Sequence, residues 1–293
     1  MAQDLSAALV TKFQPILDEV YKMASLTARM DGLTKPVDFG GAAVVKVFKT
    51  SMVGLANYVR ETGYIVGDVT GSWETLTLAI SRGREFNIDR MDDEETLGMA
   101  FGTLAGEFIR TQVVPEVDAY RFATYAGWGG VGQATPATYS ASTIIAALDA
   151  AKAAMNAAEV PVDGRILYIS DTCLGFLEAA VTRMLGNESL VNRSLATWDG
   201  MPVIMVPQTR FYSAITLTAG SATTGGFENA GKEMNFLIVH PTAVLQVTKH
   251  ANLKIFTPEE NQSKDAWKFQ YRLYHDAFVY TNKVAGIYHS HKA

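Results

Sequence analysis

One cysteine in 293 residues, no histidine before His240 and no lysine between Lys49 and Lys152 are the scarcities that bound this chain first. A lone thiol, Cys173, cannot form an internal disulfide. None is needed, because a chain of this length buries roughly three quarters of the surface that its unfolded form exposes. No apolar run approaches the roughly 18 residues of a membrane helix, since even the Ala-rich stretch near residue 150 is broken by Asp149, Lys152 and Asn156. The N-terminus MAQDLSAALV has neither a basic leader nor a long apolar core, so the expectation is a protein made and kept in the cytoplasm. The late histidines leave Cys173 without a neighbouring base, which favours a buried structural thiol over a nucleophile. A Walker sequence, a G-x-S-x-G elbow and an H-E-x-x-H helix are all missing.

What is present is an ordinary globular composition, 48% apolar and 19% charged, with a net charge of -5. The charge is unevenly spread. Residues 1–50 carry six Lys+Arg and five Asp+Glu, residues 51–245 carry 12 and 21, and residues 246–293 carry seven and four. Slightly basic ends flank an acidic middle, an imbalance small enough to read as solvated faces.

The first 50 residues read as an arm: an amphipathic helix from Pro15 to Met30, the breaker-rich DGLTKPVDFGG, then an extended AVVKVFKTS. GYIVGDVTGSWETLTL, residues 63–78, reads either as a hairpin turning at GDVTG or as part of an internal meander. A charge-dense connector, SRGREFNIDRMDDEET, leads to a long helix that starts at an Asp92 cap, with Glu95 three residues on, and ends at Pro115. Leu97, Phe101, Leu104 and Phe108 form its apolar stripe. An α/β segment follows: a helix in SASTIIAALDAAKAAMNAAEVP, a buried strand GRILYIS, a helix in SDTCLGFLEAAVTRMLG capped by Ser170 or Asp171, and a strand GMPVIMVP. NFLIVH adds a strand and TAVLQVTK a short helix. The period-two run WKFQYRLYHDAFVYTNKVAGIYHSH closes the chain with long antiparallel strands.

Two motifs invite a chemical reading. GWGGVG, Gly127 to Gly132, matches the dinucleotide pattern but lacks the preceding strand, the following helix and the distant acid, so it reads as a glycine loop. His289 and His291 have a metal-gripping i, i+2 spacing, but at a chain end they read as a solvated tail. No catalytic, cofactor or metal site is expected, and the chain is read as a non-enzyme.

The order of parts resembles the major capsid protein of tailed bacteriophages, the Hong Kong 97-type fold. The resemblance is carried by WETLTLAISRGREFNIDRMDDEET, by VVPEVDAYRFATYA and by the closing WKFQYRLYHDAFVYTNKVAGIYHSH. It implies an α+β fold divided into an N-terminal arm (1–57), an extended β-hairpin loop (58–84), a peripheral domain with a long spine helix and an antiparallel sheet (85–126 and 240–293) and an α/β axial domain (127–239). It also implies self-assembly through pentamers and hexamers into an icosahedral shell around double-stranded DNA, which is contacted without sequence preference. Scaffolding, portal and decoration proteins are the further partners, the location is the virion after assembly in the host cytoplasm, and neither cofactor nor membrane is involved. Tyr64 and Trp73 on the loop, with Arg82, Arg84, Glu85, Asp89 and Arg90 on the connector, become inter-subunit candidates. Some family members join subunits by an isopeptide bond from a loop lysine, and the absence of lysine between Lys49 and Lys152 argues against such a link. The alternatives are a nanocompartment shell enclosing protein cargo and an oligomeric α/β enzyme using the Gly127 loop.

Overall fold

A computed structural model describes residues 25–33, 38–39, 44–61, 63–91, 106–181 and 195–293. Fourteen strands run in chain order: β1 Asp38–Phe39, β2 Val44–Met52, β3 Val69–Thr77, β4 Ile80–Asp89, β5 Gly132–Gln133, β6 Ile166–Ser170, β7 Thr197–Trp198, β8 Met201–Val206, β9 Ile215–Leu217, β10 Phe227–Asn229, β11 Met234–Val239, β12 Val244–Phe256, β13 Ala266–Val279 and β14 Ile287–His291. Among the described residues, three whole α-helices accompany them: α1 Val114–Gly127, α2 Ile144–Ala157 and α3 Asp171–Ala180.

The α/β body is a six-stranded mixed sheet in the order β5-β14-β11-β6-β8-β7. Its central strands are apolar on both faces because each face is covered. Ile166 and Tyr168 of β6 join Leu237 and Val239 of β11 in a core with Phe122 and Tyr125 of α1. The alternate residues Leu167, Ile169, Phe236 and Ile238 face Ile144, Leu148 and Met155 of α2 and Leu177 of α3. Ser170 caps α3 by accepting from the Cys173 amide. The Cys173 thiol is buried, and that burial raises its pKa against the smaller lowering by the Ser170 hydrogen bond and the Lys292 charge. The closing IYHSH is an interior strand of this sheet, not a solvated tail, with His289 and Ser290 buried. Burial pushes the His289 pKa down to about 4, and the described residues hold no cluster of metal-ligating side chains.

The second layer is the sheet β12-β13-β4, with β13 paired along its length on both sides. Only Thr242 and Ala243 of TAVLQVTK are helical, in the 3-10 turn Pro241–Ala243, and from Val244 the segment belongs to β12, not to the helix expected from its sequence. Val244, Leu245, Gln246 and Val247 are all buried, because Val244 enters the α1 core while Leu245 and Val247 enter another. Gln246 donates to the Tyr125 hydroxyl at 2.8 Å. Burial on both faces erases the alternation that would have marked a strand. The connector at residue 80 is likewise a strand, β4, whose side chains alternate between half-buried and exposed.

The helix expected to stop at Pro115 runs through it to Gly127. One π-helical turn, Ile109–Val113, precedes the proline, so the hydrogen-bond register is already shifted where the proline N–H is missing. Ile109, Val113, Val114 and Val117 pack on Leu253, Ile255, Phe269 and Leu273, while Phe122 and Tyr125 pack in the α/β core. This one helix therefore stitches the two layers together. Phe108 is half-buried, with its ring 5.0 Å from Phe86 and 6.3 Å from Phe269. Leu97, Phe101, Leu104 and the Asp92 cap lie outside the described residues, as does most of the helix expected over Pro15 to Met30.

The arm is nailed to α1 where it meets the body. Fully buried Asp118 accepts from Ser25 Oγ (2.8 Å), Leu26 N (3.0 Å), Thr27 N (3.3 Å) and Thr27 Oγ1 (2.7 Å), and Arg210 Nη1 lies 3.2 Å from it. Arg121 donates to Thr27 Oγ1 at 2.8 Å, and Met30 is sealed in the core beyond. Removing the shared acceptor strands several buried donors and the Arg210 charge. Asp118→Ala is therefore expected to cost about 3 kcal/mol or more, read as the shift in a denaturant midpoint. A loss below about 1 kcal/mol contradicts this account of the anchor.

Candidate assembly surfaces

Among the described residues, the most exposed apolar surface is the ribbon of β2 and β3, with the two residues of β1 paired at its base. β2 and β3 pair antiparallel from Val44↔Thr77 to Met52↔Val69, and residues 53–68 connect them. The hairpin expected within residues 63–78 is thus corrected: residues 64–68 belong to the connection, and Val69–Gly71 of GDVTG are already strand. The strand-forming residues Val44, Val45, Val47 and Phe48 supply the partner that the local reading sought across the glycines. Nine residues of strand reach about 30 Å. The base is fixed, since Val45, Leu76 and Leu78 pack against Leu245, Val247 and Phe278. Tyr274 donates to the Leu78 carbonyl at 2.9 Å, and the Ala79 amide donates to Asp276 at 2.8 Å. His275, beside Asp276, is buried edge-on to Tyr120, and burial pushes its pKa down to about 3.

Beyond that base the ribbon leaves the body. Of the fourteen large hydrophobic side chains exposed among the described residues, eleven lie between Phe48 and Trp73. Trp73 is 63% exposed and Tyr64 87%, so both sequence candidates lie on the ribbon without burial in their own chain. Trp73 rests 5.0 Å from Phe48 across the strands, and Tyr64 pairs with Tyr58 at 4.9 Å near the tip. Gly71 makes room for Phe48, because a Cβ there would lie 2.7 Å from the ring. Isolated exposed apolar residues are unremarked on any surface, whereas a concentration on one projection marks a contact site.

The connector charges do something the sequence did not disclose. Arg82 makes a bidentate pair with Glu116 (2.7 and 3.1 Å) and donates to the carbonyls of Thr218 (2.6 Å) and Gly226 (2.9 Å). Arg84 donates to the carbonyls of Ser221 (2.8 Å), Thr224 (3.2 Å) and Ala222 (2.9 Å). Two residues of β4 thereby hold the loop between β9 and β10 over the start of α1. Glu85 accepts from Gln270 at 2.7 Å and lies 3.3 Å from Lys268, and the Gln270 hydrogen bond leads in holding its carboxyl below the usual range. Asp89 accepts from the Met91 amide, and the Arg90 amide donates to the Asp265 carbonyl. The structure thus gives Arg82, Arg84 and Glu85 side-chain partners within their own chain. The clamp spans a cleft of about 880 Å3 whose floor includes Phe86, Phe108, Tyr271 and Leu273.

The ribbon also contains lysines that the loop boundaries drawn from sequence left out. Lys46 and Lys49 both lie on β2. Lys49 is ion-paired with Glu74 at 2.6 Å across the ribbon and donates to Thr281 Oγ1. GWGGVG leaves a helix instead of a strand, with Gly127 ending α1 and Gly130 at φ +87, which confirms its reading as a loop.

No family model and no curated protein matches the sequence. Solved structures do match. The capsid of the cyanophage P-SCSP1u is 12% identical with a TM-score of 0.60, over 89% of this chain and 86% of that one. The mature capsid of bacteriophage PhiM1 is 12% identical with a TM-score of 0.59, over 86% and 82%. A virus-like particle from Pyrococcus furiosus is 10% identical with a TM-score of 0.54, over 96% and 98%. The chain has the mixed α and β fold of the phage capsid proteins.

The clamp on the β9–β10 loop is testable without assembly. Arg82→Ala is expected to speed amide exchange across residues 215–229 by tenfold or more, because each charged hydrogen bond lost is worth about 1.5 kcal/mol or more. Arg82→Lys is expected not to restore protection, since an ammonium cannot reproduce the bidentate fork. Unchanged exchange in Arg82→Ala would show that the loop is held by something else.

Proposed function

We propose that this chain is the structural subunit of a phage head: it self-assembles through pentamers and hexamers into an icosahedral shell around double-stranded DNA. The observation that carries the reading is the ribbon, whose apolar side chains are exposed on a capsid fold. A flat apolar projection is costly in water and is relieved when it lies over a neighbour. Each such contact can be weak, because a closed shell multiplies it over many copies. Tyr64 and Trp73 lie in that contact in this proposal. Arg82, Arg84 and Glu85, held within their own chain, shape the receiving surface, and Asp89 and Arg90 lie at its edge. The arm, the ribbon, the spine helix with the long sheet, and the α/β body divide the work of embracing, overlapping, bracing and closing around the local axes.

The protein works by assembly geometry, and the partners that complete the head are a scaffolding protein, a portal and decoration proteins. The acidic body with slightly basic ends suits DNA held without a dedicated site. No helix among the described residues is long and apolar enough to cross a membrane. A second reading, a nanocompartment enclosing protein cargo, draws on the likeness to the Pyrococcus furiosus virus-like particle. The contents of purified particles separate the two: nuclease-protected DNA supports the head, and a packaged enzyme supports the compartment.

Replacing residues 53–68 with an Asn-Gly turn shortens the ribbon while leaving its base intact. The variant is expected to keep its far-ultraviolet circular dichroism and to lose closed particles in negative-stain micrographs. Normal shells from this variant would contradict the ribbon's role in assembly.

A further inference from the structure

The cleft beneath the arginine clamp is larger than holding one loop requires. At about 880 Å3 it falls within the roughly 300–1,000 Å3 of sites that enclose a small molecule. Phe86, Phe108 and Tyr271 are each only half-buried there, although Phe108 packs on the other two rings at 5.0 and 6.1 Å. We infer that this cleft binds a single-chain fatty acid, with the acyl chain on the aromatic floor and the carboxylate at Arg84. The inference goes beyond the self-assembly reading and does not depend on it, because every residue involved belongs to one copy.

Charge selects the head group. The charged side chains that line the cleft are Arg82, Arg84, Glu107 and Glu116. Arg82 is met by Glu116 at 2.7 Å, and Glu107 by Arg110 at 2.8 Å. Among the described residues, Arg84 hydrogen-bonds only to backbone, at the carbonyls of Ser221, Ala222 and Thr224. Those bonds use three of the five guanidinium N–H groups, so two donors and the whole positive charge remain to be met. One unmet cation calls for one anionic group, and a carboxylate matches the guanidinium in geometry. A polyphosphate would bring more negative charge than Arg84 can meet, and Glu107 and Glu116 would repel the excess.

The floor selects the tail. Val113, Val117 and Leu273, all buried, continue the apolar lining beside the rings. Phe86 and Phe108 meet at 71°, and Phe108 and Tyr271 at 73°, so the floor is a set of tilted faces instead of a flat slab. A flexible acyl chain conforms to such a surface where a rigid planar ligand would leave gaps. Each methylene fully withdrawn from water tightens binding by up to about fourfold. The loop between β9 and β10 forms a wall of the cleft, so Arg82 and Arg84 hold the site open before a ligand arrives. A preformed site forfeits less conformational entropy on binding than one that must be assembled.

Calorimetry on the full, unaltered chain, diluted until light scattering shows single copies, tests this with decanoate, dodecanoate and dodecyltrimethylammonium. The expected result is one dodecanoate per chain, bound on the order of tenfold more tightly than decanoate, which is two methylenes shorter. Dodecyltrimethylammonium, with the same tail and the opposite charge, is expected to bind at least about tenfold more weakly than dodecanoate. Bound dodecanoate is expected to slow amide exchange over residues 107–117 and 218–226 and to leave α2 unchanged. Arg84→Gln is expected to lose about tenfold in dodecanoate affinity, and Arg84→Lys, which keeps the charge, to stay within about threefold of the unaltered chain. A merely structural role for Arg84 in holding the loop would cost both variants equally, and that result overturns the head-group assignment. No saturable binding, equal binding of the anionic and cationic ligands, or protection confined to other segments overturns the site. The ligand comparison on the unaltered chain stands whether or not the variants fold, and none of these outcomes bears on whether the chain forms particles.

Discussion

The ribbon of β2 and β3 presents apolar surface beyond the reach of its own body, and the rest of the structure is arranged around that fact. Its base is locked by Val45, Leu76 and Leu78 and by hydrogen bonds from Tyr274 and to Asp276, so the projection leaves at a fixed place. Past the base, Phe48, Trp73 and the aromatic tip meet water. A monomeric protein would be expected to bury or trim such a surface, because a contiguous apolar patch invites association. The fold is the one shared with phage capsids, and in the proposed reading association with further copies covers that surface.

A projection specifies an assembly only if the body that carries it is rigid. α1 supplies much of that rigidity by packing its first turns on the long sheet and its later turns on the α/β core. Asp118 on the same helix fixes where the arm enters, and Glu116, two residues earlier, receives Arg82. The helix thus sits behind the arm, the β4 strand and the β9–β10 loop together. With its single cysteine buried and Lys49 engaged by Glu74 and Thr281, the described part of the chain is held by packing and charged hydrogen bonds.

Much of this was legible in the sequence, and what was not has identifiable physical causes. β6, β13, α2 and the Ser170 cap follow from period and local chemistry, since their burial is decided by one or two neighbouring elements. The ribbon was half legible: AVVKVFKTS and WETLT read as strands, but their mutual pairing across residues 53–68 is non-local, and GDVTG, with Gly67 in the connection and Gly71 in β3, offered a nearer turn. β12 lost its alternation because both faces are buried, and Pro115 misled because a π-helical turn absorbs it. The candidates Tyr64 and Trp73 came from the family resemblance, and the structure gives both as exposed aromatics on the ribbon. The cleft under the arginine clamp was not foreseeable, because it exists only where β4, the start of α1 and the 218–226 loop converge from distant parts of the chain.

The claim on which the account turns is that copies of this chain complete one another. Multi-angle light scattering of the purified, unaltered protein measures this directly as the mass of the species in solution. The account predicts closed particles of many megadaltons, built from 31.8 kDa subunits. A stable species of one to four copies under conditions that favour assembly would contradict it.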